Sequence, residues 1–271
     1  MATATSTAEH TGVPHKSTSD NNPNGKEAIE VRLNRGAFYR WGPFLILPVR
    51  FVLAALLQWA VWQLFYSAEE NGFEQAGQWF TVYGTLIDLG CLALILRFIR
   101  PERLRLIDLV NFDRERLWKE VREGFGYLLV LLVVGLVGGG IAGYLIFGGP
   151  APNPLGQLPT AGALYSILVW PIIWGVTEEL TYFGYAFPRL QVLTRNTWLA
   201  GALVAFFFAL QHVALPLRYD VDFMLYRFFS SLPVALVILP LYLRTRRLFP
   251  FIVAHWVVDC LSAVLANYVP M

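Results

Sequence analysis

The chain has 271 residues, of which 56% are hydrophobic and 15% charged, and its mean hydropathy is +0.51. Those values lie outside the usual range of soluble globular domains and point to a protein built for the bilayer. The net charge of +2, with basic residues spread over loops instead of one patch, excludes a nucleic-acid binder.

Residues 1–30 are rich in Ser, Thr, Asn, Gly and Pro and lack the apolar stretch of a signal peptide, so they read as a disordered cytoplasmic tail. Residues 31–271 read as an all-α transmembrane helix bundle. Seven apolar runs, near 43–66, 79–99, 125–147, 161–187, 197–215, 223–243 and 248–268, each approach the ~20 residues that a crossing helix needs. Pro171 and Gly175 in the fourth run, and Pro233 and Pro240 in the sixth, predict kinks. Cys91 and Cys260 both sit in apolar runs and read as small buried residues, neither a disulfide nor a zinc pair. There is no internal repeat of the kind that marks many transporters.

Lys and Arg near span ends set orientation. They gather at Arg32, Arg35 and Arg40, between Arg97 and Arg122, at Arg189 and Arg195, and at Arg244, Arg246 and Arg247. The loops SAEENGFEQAGQ and GGPAPNPLGQLPTA carry none. This alternation predicts an inside amino terminus and an outside carboxyl terminus. Within the largest basic loop, DRERLWKEVREGFGYLL reads as a helix capped near Asp113, with Glu115 to Lys119 and Arg116 to Glu120 as four-residue pairs.

Ionisable residues inside spans cost about 2.5–3.5 kcal/mol each on insertion scales, so each demands a reason. Arg50 and Asp88 fall in the same half of neighbouring antiparallel spans and suit a structural pair. The other five form a constellation. His255 and Asp259 are one turn apart in HWVVD, His212 ends FALQH one turn after Phe208, and Glu178 and Glu179 diverge by about 100° around their helix. Two imidazoles and three carboxylates are the ingredients of a metal site, or of a water activated by a carboxylate beside a histidine. A low-dielectric site makes a carboxylate a better base near neutral pH, which suits hydrolysis. No Ser-centred elbow or Cys–His–Asn set is visible. The same residue types also serve as interhelical hydrogen-bonding groups or as a proton or ion path.

The ordered set EELTYFGY, FALQH and HWVVD resembles the three motifs of the CAAX protease and bacteriocin-processing (CPBP) family of intramembrane proteases, with a CPBP-like core over about 125–268. The resemblance implies an intramembrane endopeptidase acting on membrane-associated, including lipidated, peptides or proteins, and it leans toward a multi-pass protein of a bacterial plasma membrane. By motif position Glu178 would activate a water and His212 would hold it. Glu179, His255 and Asp259 would complete the site, with His255 and Asp259 stabilising the oxyanion. In the metalloprotease version Glu179, His212, His255 and Asp259 would ligate zinc.

One position departs from the motif. The Arg that the family places four residues after the second Glu is Phe183 here. Either another cation such as Arg50 enters the site, or activity is altered or absent. Two other classes therefore stand beside the protease: an inactive member that binds a membrane-protein partner, and a proton or ion carrier. Counting about 1.5 Å per residue from the helix starts puts His212 about 12 Å deeper than His255, an offset that a real site must close.

Overall fold

The computed structural model describes residues 22–153 and 156–268. These residues form an all-α bundle in which one helix, the one bearing the Glu pair, is enclosed by the others. The chain runs α1 (Lys26–Asn34), α2 (Gly42–Tyr66), α3 (Phe80–Ile99), α4 (Leu117–Phe147), α5 (Thr160–Leu168), α6 (Trp170–Thr194), α7 (Thr197–Val213), α8 (Val221–Thr245) and α9 (Phe249–Tyr268).

The expected tail of residues 1–30 needs correction at its end. Residues 1–21 lie outside the described residues, but α1 begins at Lys26 and buries Ile29 against Phe38 and Val192. A buried latch fixes it there. Arg189 of α6 forms a fork onto Glu102 at 2.7 and 2.8 Å, Arg32 of α1 donates to the same carboxylate at 2.9 Å, and Asn24 donates to Gly184 O at 2.7 Å. Burial pushes the Arg32 guanidinium below its ordinary range, against the opposing pull of Glu102.

Of the seven expected spans, five are single helices long and apolar enough to cross a bilayer: α2, α3, the 34 residues Arg114–Phe147 that contain α4, α8 and α9. The fourth is a pair, α5 and α6, bent by 41°, and the fifth is α7, a shorter apolar helix of 17 residues. The bend falls at Val169, two residues before Pro171. Proline 171 has no N–H for the carbonyl of Ile167, and the Cys260 thiol donates to that carbonyl at 3.4 Å instead. Helix α8, by contrast, runs unbroken through Pro233 and Pro240.

Side-chain caps start several helices where the sequence places Asn or Asp. Asn196 accepts from the N–H of Trp198 and Leu199 ahead of α7, and Asp220 does the same for α8. Asp113 caps the 3-10 turn Arg114–Arg116 that leads into α4, as expected. The Arg116–Glu120 pair forms at 3.8 Å, although Glu120 also takes a close ion pair from Arg247.

Helix α4 packs on α8 and α9, α7 packs on α8, and α6 lies against α3 and α9. Every residue from Thr177 to Val192 is buried. A helix covered all round needs no lipid-facing side, which is why GVTEELTYFG can carry two carboxylates. Close approach to α9 is set by glycine: a Cβ on Gly175 would stand 3.3 Å from Trp256 N and 3.6 Å from His255 Cβ.

Candidate active site

The Glu pair ends the regular part of α6. Directly after Glu179 the helix widens into a π segment, Leu180–Ala186, the rare form of helix that recurs at functional sites. Both carboxyl groups are fully buried. Their partner comes from α9. His255 Nδ1–H donates to Glu179 Oε1 at 3.1 Å, while His255 Nε2 lies 3.9 Å from Glu178 Oε1 and 3.6 Å from Asp259 Oδ2. One imidazole thus stands among three carboxylates from two helices.

Glu178 has a second neighbour. Arg50 of α2, also fully buried, points Nη2 at Glu178 Oε2 over 3.5 Å. The expected structural pair with Asp88 is present as well, at 2.7 Å from Nη1, and Nε donates to Gln211 Oε1 at 2.6 Å. The guanidinium lies over the Trp174 ring, 4.2 Å from its centre. Neither oxygen of Glu178 accepts a hydrogen bond from the described residues, and Glu179 Oε2 and Asp259 Oδ2 are in the same position. A buried acid with free lone pairs is costly unless something donates to it.

His212 ends α7. Its Nδ1–H donates to Phe208 O at 2.7 Å, which fixes the tautomer and leaves Nε2 as an acceptor. It makes no hydrogen bond or ion pair with the acids among the described residues, but it lies within electrostatic reach of Glu178. It also shares the wall of one cavity, about 360 Å³ in volume, with His255, Asp259, Trp170 and Arg227. His212 and His255 thus meet at one cavity, although the count along the separate helices set them at different depths. The Glu pair is not part of this wall and adjoins it through its contacts with His255.

Residues 160–261 are similar to an Rce1-like family. The segment matches the family model described as type II CAAX prenyl endopeptidase Rce1-like, which spans α5 to the middle of α9. It falls inside the expected CPBP-like core of 125–268 and covers all three motifs, EELTYFGY, FALQH and HWVVD. No curated protein and no solved structure matched.

Against the Rce1-like motifs, two further groups stand out. Gln211 precedes His212 and takes the Arg50 hydrogen bond; a glutamine inside an apolar run was the signal for it. Arg227, in a stretch whose charges sum to zero, donates to the carbonyls of His212 at 3.2 Å and Leu215 at 2.9 Å and so closes the end of α7. Nothing in its sequence context pointed there. The zinc expectation meets a poor donor set. Among the described residues no three His, Cys, Asp or Glu side chains are arranged to hold a metal ion, and His255 Nδ1 is committed to Glu179.

Proposed function

We propose that the chain is an intramembrane endopeptidase in which Glu178 activates a water for attack on a peptide bond of a membrane-associated substrate. The observation that carries this reading is a fully buried Glu178 whose two oxygens have no hydrogen-bond donor among the described residues, held between Arg50 and His255, which lines one cavity with His212. A water between Glu178 and His212 Nε2 would satisfy both acceptors.

In the reaction Glu178 takes a proton from that water, whose oxygen bonds to the scissile carbonyl carbon. The same proton then passes to the departing amine as the C–N bond breaks. His212 orients the water through its fixed tautomer. His255 takes a different role from the oxyanion stabiliser that its motif position implies. With Nδ1–H on Glu179 and Nε2 between Glu178 and Asp259, it holds the carboxylates apart. An N–H group for the oxyanion is offered instead by Arg227, on the cavity wall.

The test is cleavage of quenched fluorescent peptides, with and without a lipid anchor, by the purified protein in lipid nanodiscs. Glu178→Gln and His212→Ala should each abolish turnover while leaving the protein folded. An inactive wild-type protein that co-purifies with another membrane protein would favour the binding-subunit reading. Ion or proton flux lost on Asp259→Ala would favour the carrier.

A further inference from the structure

We infer that Arg50 is the positioning residue for Glu178 and does the work of the motif arginine that Phe183 has replaced. The inference rests on the reading of Glu178 as the base and adds where its orienting charge comes from. That source is α2, outside the matched segment 160–261.

Three observations exclude the other candidates. Phe183 is buried in an aromatic cluster, its ring 6.3 Å from Phe208 and 6.0 Å from Tyr242, and it carries no charge. Arg189, the other arginine of α6, spends its fork on Glu102 and its remaining donors on Asn24 and the carbonyl of Tyr185. Arg227 donates to backbone carbonyls and pairs with no carboxylate among the described residues.

Arg50 has the matching geometry. Nη1 and Nε are committed to Asp88 of α3 and Gln211 of α7, so two hydrogen bonds fix the plane of the guanidinium, and Trp174 supports one face. Nη2 has no hydrogen-bond partner among the described residues and points at Glu178 Oε2. One rigid fork thereby links the helix of the acid pair to the helix of His212 and fixes where Glu178 can present its free oxygen. Lysine has the charge but cannot reach three helices from one atom. The first two spans thus belong to the active site.

The experiment uses the full-length protein in nanodiscs and variants at Arg50, Asp88, Phe183 and Glu178. R50M/D88L removes the buried pair as a neutral unit, so its melting temperature should stay within about 3 °C of wild type. Its kcat should fall about 100-fold with KM changed by less than about threefold, because the acid has lost its orientation and not its substrate. R50M/F183R, which returns a guanidinium to the motif position, should recover activity over R50M alone. The Glu178 carboxylate stretch, isolated as the infrared difference between each protein and its E178Q counterpart, should shift in R50M/D88L. If that variant keeps wild-type turnover and an unmoved Glu178 band, Arg50 is structural and the inference fails. If R50M/D88L does not fold, R50K decides: full turnover overturns the inference, and a loss of about tenfold or more at normal stability supports it. A wild-type protein that cleaves nothing refutes the protease reading, while the infrared shift still decides whether Arg50 orients Glu178.

Discussion

His255→Ala should destabilise the protein more than the loss of one side chain suggests. The imidazole donates the hydrogen bond to Glu179 Oε1, and Glu179 Oε2 has no partner among the described residues, so the variant leaves a fully buried carboxylate with no donor among them. Removing one member of a buried charged pair costs about 3–5 kcal/mol. The upper part of that range applies here, since Glu178 at 3.9 Å and Asp259 at 3.6 Å lose the same neighbour. At about 2–4 °C per kcal/mol for a chain of this size, the melting temperature should fall by about 8–20 °C. Tryptophan fluorescence of the nanodisc-embedded protein during heating measures it. H255A/E179A removes the stranded charge and should recover most of the loss, a coupling that a double-mutant cycle reads directly. A single variant melting within about 2 °C of wild type, or a double variant no more stable than the single, would refute the idea that His255 holds the acid pair.

Three further outcomes are expected. Gly124→Ala puts a Cβ 2.8 Å from Val253 Cβ and 2.9 Å from the carbonyl oxygen of Pro250, so α4 and α9 must separate just before His255. Stability should drop by about 1–3 kcal/mol on thermal unfolding. Arg189→Met breaks the latch onto Glu102 and should lower the melting temperature by about 6–20 °C, yet leave turnover per folded molecule intact below the transition, since Arg189 does not reach the acids. Prolonged chelation should leave peptide cleavage within about twofold of the untreated rate; a loss that zinc restores would show that a metal takes part.

Much of the fold was legible because bilayer thickness converts hydropathy into length, as α2, α3 and α9 illustrate. The helix break was harder to place. Pro171 marks the region, but the chain bends at Val169, and the Ile167 carbonyl that Pro171 leaves without an N–H is met by Cys260, 93 residues away. α1 escaped notice since its nine residues carry little apolar pattern, and it is held by one buried Ile29, by Arg32 on Glu102 and, just ahead of it, by Asn24 on Gly184. His255 and Asp259 could be paired from spacing alone, one turn apart on one helix. The third dimension of the site could not be read that way. Arg50 has a local partner in Asp88, and its reach to Glu178 and Gln211 depends on how three helices pack. The π segment after Glu179 has no sequence signature that separates it from ordinary helix.

The most direct measurement is the single-turnover cleavage rate of Glu178→Gln beside wild type, on one peptide in the same nanodiscs. The amide keeps the size of the side chain and cannot accept a proton from water. If Glu178 is the base, the rate falls by about 10²–10⁴-fold while the melting temperature stays close to wild type. Cleavage by the folded variant at more than about a tenth of the wild-type rate would contradict it.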